Sequence, residues 1–335
     1  MNKTLRKHER IKAGAEALFQ RPVRDISFPG GESRASLRLH FDDMTVIGSL
    51  RPNFRRTHLE AFILQKLAPV CDDVPVCHGV MGDIMFQSDV GSRRLNTEIR
   101  KHAAADRVAL AEDAVAAIFR IQAAARHTDL GTTLPRLGNN AEWLAQLVND
   151  VDILGPLLDR GIPDSFNRVE LPAYLDQCGI QFVKWDCRSG NAALGDDGRL
   201  RWFDFEYAGM RHGAEDFAWL IGDESWPVDA ETMLEIVEDG FDPSCGHDFD
   251  HYMEYLSIYT VLHCIQRLKL ILGEVESRGW RSIEEIVERD DVGRHPLLAA
   301  HLCRTAAWFA DRQSTTDMLV PFLEAAERRF MDVTE

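Results

Sequence analysis

Residues 184–209 read KWDCRSGNAALGDDGRLRWFDFEYAG. The stretch sets Asp186, Asn191 and Asp204 among many apolar neighbours. "QFVKW" is short and apolar, as a strand or turn entering a loop would be. "CRSG" supplies polar and flexible residues, and "AAL" reads as a short strand. "GDDGR" contains Asp-Gly, a strong hairpin-turn signal. "LRWF" returns as the second strand, with Asp204 at its end. A hairpin brings its two ends together, so Asn191 and Asp204 are expected to meet near Asp186. Asn and Asp oxygens are hard ligands that suit Mg²⁺. A further carboxylate nearby can accept a proton from an attacking hydroxyl. Metal clamp, base and positioning are the parts that phosphoryl transfer requires. Asp and Asn are also ordinary turn residues, so the weight rests on what flanks the hairpin.

Upstream, residues 23–50 read as three strands. "VRDISF" is followed by the turn "PGGESRA", then "SLRLHF", an Asp-Asp turn and "MTVIGSL". "RRTHLEAFILQKLAPV" carries Leu59, Phe62, Ile63 and Leu67 at helical spacing. Two short strands are expected near "VCHGVM" and "DIMFQSD". From residue 95 the chain turns helical, with helices expected at 107–127, 141–159, 171–179, 213–223, 230–239, 248–277, 281–289 and 296–330. The pattern predicts an α+β chain of two lobes. One is a small antiparallel-sheet lobe with one helix, spanning residues 1–89. The other is a mainly helical lobe, spanning 90–335.

Composition narrows the function classes. The chain has 335 residues and a formal charge of −16. So acidic a chain is a poor nucleic-acid binder, because phosphate backbones attract Lys and Arg. It lacks a run of about 18 apolar residues, so no membrane span is expected. The N-terminus has charges throughout instead of a secretory leader, and reads as a solvated helix. Seven scattered cysteines lack a CxxC pair. Cys71, Cys77 and His78 form only a loose cluster, short of a zinc set, and reduced thiols in a cytoplasmic protein are expected. His247 and His251 are four apart and read as a surface pair on one helix face.

With the hairpin and its flanks in place, the sequence resembles the aminoglycoside phosphotransferase and choline/ethanolamine kinase superfamily, which has a protein-kinase-like fold. The shared features are Asp186 with Asn191 five residues on, and then "WFDFEYAG", followed by "EDFAWLIGDE". The layout is similar over about residues 23–275, and specific over 184–220. The resemblance implies that Asp186 is the catalytic base and that Asn191 and Asp204 hold Mg²⁺. It makes Asp216 an anchor of the following helix. It places the turn containing Gly30, Gly31 and Ser33 over the phosphates of ATP. It matches Glu60 to the small-lobe helix glutamate, which pairs with a strand lysine. The activity implied is ATP- and Mg²⁺-dependent transfer of a γ-phosphate to a hydroxyl of a small, possibly cationic, molecule.

Two departures stand out. Gly48 or Ser49 occupies the place of the strand lysine, leaving Arg51, or Arg38 on the preceding strand, as substitute. Arginine can grip phosphate bidentately but differs from lysine in length and planarity. Lys184 replaces the loop histidine and either reaches a phosphate or extends to solvent. Arg188, between base and asparagine, can meet substrate or phosphate. Trp185, Trp202, Trp219 and Trp226 could form an aromatic cage for a quaternary ammonium, although tryptophans near a motif are more often core. Asp248, Asp250, Glu254 and Arg267 are candidates for the acceptor pocket. A nucleotide-binding pseudokinase serving as sensor or scaffold is the alternative that the missing lysine and histidine leave open.

Overall fold

A computed structural model describes residues 3–29, 31, 35–51, 53–138, 140–177 and 180–333. The expected Gly30 and Ser33 contributions lie outside them. The small lobe contains α1 (Lys3–Phe19), β1 (Asp25–Ser27), β2 (Ser36–His40), β3 (Thr45–Leu50), α2 (Phe54–Leu67), β4 (Cys77–Met81) and β5 (Ile84–Ser88). Its five strands form one antiparallel sheet in the order β1-β2-β3-β5-β4. Alternation decides which face each residue takes. Leu37, Leu39, Val46 and Phe86 are buried on one face, beneath Ile11 and Ala15 of α1. The N-terminal helix is therefore not merely solvated, and the lobe has two helices instead of one. An apolar stripe amid the charges of α1 covers the outer face of the sheet, which is what a one-sided sheet needs. The other face is left for α2 and the cleft.

The chain continues through β6 (Arg93–Arg94), α3 (Leu95–Glu98), α4 (Ala104–Ala125), α5 (Leu130–Thr133), α6 (Ala141–Asn149), α7 (Leu154–Leu158) and α8 (Glu170–Gln177). Then come β7 (Gln181–Val183), β8 (Ala192–Leu194), β9 (Leu200–Trp202), β10 (Gly209–Arg211), α9 (Ala214–Ile221) and α10 (Ala230–Gly240). Helices α11 (Phe249–Arg278), α12 (Ile283–Arg289), α13 (Pro296–Ala310) and α14 (Val320–Asp332) complete it. The expected long helix over 296–330 is thus two helices. They break where Asp311, past the end of α13, begins a turn that Thr316 closes onto Ala310 and Gln313. Apolar side chains of α4, α9, α11, α13 and α14 form a core continuous with α2. The expected His247–His251 pair does not share a helix, because Asp248 caps α11 and His247 precedes it. His247 instead packs against His212 with the rings tilted, 4.3 Å between ring centres. The six described cysteines are free thiols, and no described helix is long and apolar enough to cross a membrane.

One core group should make stability pH-dependent. His263 is buried between Trp219 and Tyr259. Burial, followed by the charge of Arg267, pulls its pKa down to about 3. An unfolded histidine titrates near ~6.5. Between those values the unfolded chain holds a proton that the folded chain refuses. This share of stability is complete above ~6.5 and lost towards 3, at about 1.4 kcal/mol per pH unit. Urea unfolding at pH 7 and pH 5 should show that loss, and His263→Leu should reduce it, leaving the share of His212 and His301, which burial also lowers. An identical slope in the variant would exclude His263 as a source.

Candidate active site

Strands β8 and β9 form the expected hairpin, with Ala192 opposite Trp202 and Leu194 opposite Leu200. Gly198 turns it at φ 75°, the left-handed conformation that glycine adopts freely. At the open end, the Phe203 amide donates to the Asn191 carbonyl at 2.9 Å. This contact ties the residue after Gly190 to the residue before Asp204. Asn191 Nδ2 donates to both the carbonyl and the Oδ2 of Asp186, each at 3.0 Å. Asn191 and Asp204 line the same cleft. The three residues named from the hairpin are therefore brought together.

The loop that holds them is strained. Trp185, Asp186 and Asp204 are non-glycine residues at φ 52°, 79° and 67°, each a conformation that costs energy unless its surroundings impose it. Two buried carboxylates impose it here. Asp216 accepts from the backbone amides of Lys184 (3.0 Å) and Trp185 (2.8 Å), with Gln122 as a further donor at 3.0 Å. Asp223 accepts from the amide and hydroxyl of Ser189, at 2.8 and 2.5 Å. Asp216 is the anchor that the resemblance implied, although what it anchors is the loop. Asp223, in the "GDE" string, carries no sequence signal that distinguishes it from a turn residue.

Arg51 stands at the end of β3 with its side chain turned inward. It grips Glu60 through Nε (3.0 Å) and Nη2 (2.8 Å) and reaches Asp204 Oδ1 at 2.8 Å. Glu60 also accepts the Phe205 amide at 3.0 Å, so one α2 carboxylate joins the small lobe to the segment after Asp204. Burial opposes the charge on Arg51, but Glu60, Asp204 and Glu206 outweigh it and its pKa is raised. Burial likewise opposes ionisation of Asp204, and Arg51 with Lys184 more than offsets it, so its pKa is lowered. Burial pushes Glu60 up, with Arg51 opposing. The two donors of the fork and the Phe205 amide are partners that a carboxylate satisfies.

Of the two candidate substitutes for the lysine, Arg38 also lines the cleft, but its guanidinium is engaged by Asp89 at 2.6 Å and the Gly91 carbonyl at 3.0 Å and not by Glu60. Gly48 leaves no room for a longer residue, because a Cβ there would lie 2.6 Å from Ile11 and 3.0 Å from Phe86. Lys184 neither extends to solvent nor lines the cleft. It is buried, donates to the Asp186 carbonyl at 2.9 Å and faces the rings of Trp202 and Phe205. Gly31 turns at φ 89°, its amide donating to the Phe28 carbonyl at 3.1 Å.

Arg188 Nε donates to Asp186 Oδ1 at 2.9 Å, and its Nη1 lies 3.6 Å from Asp290. Arg94 lies 3.6 Å from the other Asp290 oxygen. Asp290 caps the end of α12 and lines the cleft from about a hundred residues downstream. Gly190 permits its approach, since a Cβ there would lie 2.3 Å from Asp290 Oδ1. The cleft encloses about 500 Å³, a small-molecule size. Ile47, Val90 and Phe203 make an apolar part, and Arg51, Asn191 and Asp204 a charged part.

The proposed aromatic cage does not assemble from the four named tryptophans. Trp202 and Trp226 are core residues, donating to the Ala114 carbonyl and to Met233 Sδ. Trp185 and Trp219 do meet, 6.3 Å between ring centres, with Trp143 5.7 Å from Trp185. The expected pocket residues on α11 disperse. Asp248 caps the helix, Glu254 accepts from Tyr174, and Arg267 pairs with buried Glu224 at 2.7 Å. Asp250 is exposed.

The donor set fits a hard divalent cation. Asn191 and Asp204 offer oxygens to one cleft, and two protein ligands suffice for Mg²⁺ when waters and phosphates supply the rest. Among the described residues no cluster of three or more His, Cys, Asp or Glu forms a self-sufficient metal site.

No protein-family profile matches the chain, and no curated protein matches it in sequence. Solved structures do match in fold. A choline/ethanolamine kinase family protein from Mesorhizobium loti is 12% identical, covers 95% of this chain and 99% of its own, and has a TM-score of 0.54. The choline kinase LicA from Streptococcus pneumoniae is 13% identical, with coverages of 84% and 96% and a TM-score of 0.52. The APH(2")-IIa of a streptomycin–ATP ternary complex is 14% identical, with coverages of 82% and 96% and a TM-score of 0.54. With its small antiparallel-sheet lobe and mainly helical remainder, the chain has the protein-kinase-like fold of choline/ethanolamine kinases and aminoglycoside phosphotransferases.

Proposed function

We propose that the protein is a phosphotransferase that moves the γ-phosphoryl group of ATP to a hydroxyl of a small molecule. The observation that carries this reading is the convergence of Asp186, Asn191 and Asp204 through the Asn191 amide and the closed end of the hairpin. The similarity in fold to phosphotransferases, one of them in complex with ATP, supports it. We assign residues 1–89 as the nucleotide-binding lobe and 90–335 as the catalytic and acceptor-binding lobe.

In this reading Asp186 orients the acceptor hydroxyl and takes its proton as the oxygen–phosphorus bond forms and the bond to the β-phosphate oxygen breaks. Asn191 and Asp204 would hold Mg²⁺, which when bound supplies positive charge to the phosphate oxygens. Arg51 and Arg188 bring positive charge to the same end of the cleft, where it is worth more than in water. Ile47, Val90 and Phe203 form the walls for a base. Asp216 and Asp223 hold the loop in its strained form, so the geometry is set before substrate arrives.

One observation favours the alternative, nucleotide binding without transfer. Both acidic groups central to the chemistry are already paired with arginines, Asp186 with Arg188 and Asp204 with Arg51. Nucleoside triphosphate consumption against a panel of small alcohols, with ATP and GTP compared, separates the readings. The phosphotransferase reading expects acceptor-dependent ADP release. Tight nucleotide binding with no release on any acceptor would support the pseudokinase, and release without an acceptor would mean hydrolysis.

A further inference from the structure

We propose that Arg51 is a resident counter-ion of the divalent-cation seat, so that the cation enters only together with a nucleotide whose phosphates draw the guanidinium off Asp204. The inference rests on the assignment of Asn191 and Asp204 as cation ligands and goes beyond it.

Its basis is a difference between arginine and lysine. An ammonium is a single point of charge, whereas the guanidinium is a rigid fork with several N–H vectors. Here the fork serves two carboxylates at once. Nε and Nη2 hold Glu60 at 3.0 and 2.8 Å, while Nη2 and Nη1 reach Asp204 Oδ1 and Oδ2 at 2.8 and 3.4 Å. Both oxygens of Asp204 are thus faced by nitrogen. A Mg²⁺ ion sits about 2.1 Å from its oxygen ligands, so ion and guanidinium would contend for the same oxygens. They also repel, and in a partly buried site that repulsion is weakly screened. The Arg51 side chain is 13% exposed and that of Glu60 0%.

Arginine cannot yield by losing its proton; it must find another anion. Arg51 lines the cleft beside Asn191 and Asp204, so phosphates entering there meet the outer edge of the fork. Glu60 stays in place through its bond to the Phe205 amide. It therefore holds the inner edge while the outer edge changes partner. Glu206, 3.6 Å from Nη1, is a further anion beside the path. The consequence is an order of binding. The cation alone finds its seat taken, and cation and nucleotide bind together with positive cooperativity.

The test is Mn²⁺ uptake followed by electron paramagnetic resonance, with and without a non-hydrolysable ATP analogue. The wild type should take up Mn²⁺ in the seat only when the analogue is present. In Arg51→Lys, a single ammonium nitrogen that holds Glu60 can face at most one Asp204 oxygen and leaves the other open, where the guanidinium covers both. That variant should take up Mn²⁺ alone, at least about tenfold more tightly than wild type. The double variant Arg51→Met/Glu60→Gln removes both buried charges and covers the case in which the single variant does not fold; it should behave likewise. Equal uptake by wild type and both variants without nucleotide would overturn the proposal while leaving the cation site intact. No uptake by any of the proteins, even with the analogue, would remove the cation assignment itself, and the proposal with it.

Discussion

Asp186→Asn is expected to lower acceptor-dependent turnover by about 10³-fold while nucleotide affinity stays within a few-fold of wild type. The substitution keeps size and shape and removes the ability to take a proton. The contacts that fix the loop mostly survive it, because Lys184 Nζ and one Asn191 bond go to the backbone carbonyl of residue 186. The Arg188 partner at Oδ1 loses its counter-charge but keeps Asp290 within 3.6 Å. ADP release in the presence of the acceptor and calorimetric titration of the nucleotide measure the two halves. Full turnover in the variant would show that Asp186 is not the base. A parallel loss of nucleotide binding would mean that the residue shapes the cleft instead.

Asp204→Ala is expected to abolish the Mg²⁺-dependent part of stabilisation by ATP. At a hundredfold excess over its Kd, a ligand adds about 2.7 kcal/mol to folding stability. In a chain this long that amounts to a few degrees in Tm. The variant should keep only the shift that ATP produces with chelator present. Because Arg51 retains Glu60 through Nε and Nη2, the small lobe should stay assembled and the effect should be local. A thermal shift with Mg²⁺–ATP equal to that of wild type would refute the assignment of Asp204.

Much of this site was legible because its residues are close in sequence. Asp186, Asn191 and Asp204 belong to one hairpin, whose Asp-Gly turn and short apolar arms determine where its ends lie. The antiparallel small lobe was legible for the same reason, since each strand follows its neighbour through a short turn, apart from the α2 connection between β3 and the β4–β5 hairpin. What escaped depends on distant parts of the chain. Asp290 enters the cleft from the end of α12, and only packing of that segment on the loop before β8 puts it beside Arg188. The role of α1 was hidden because Ile11 and Ala15 are few among its charges, yet they suffice to seal a sheet face.

Lys184 was misjudged for a different reason. A charged residue between an apolar strand and a loop has solvent as its default, and here Asp216 pulls the backbone inward and carries the side chain with it. The aromatic cage failed on a base rate that the sequence itself suggested, since Trp202 sits on an inward-facing position of β9. Arg51 was visible as the nearest cation. Its second bond, to Asp204, was not, because that bond joins residues 153 positions apart.

The most direct measurement is the anomalous difference map of crystals grown with Mn²⁺ and a non-hydrolysable ATP analogue. A single strong peak is expected about 2.1–2.2 Å from Asn191 Oδ1 and from an Asp204 carboxylate oxygen, with the terminal phosphate facing Asp186 and Arg51 turned towards the phosphates. A nucleotide seated in the cleft with its phosphates away from these residues, or a metal peak elsewhere, would contradict it.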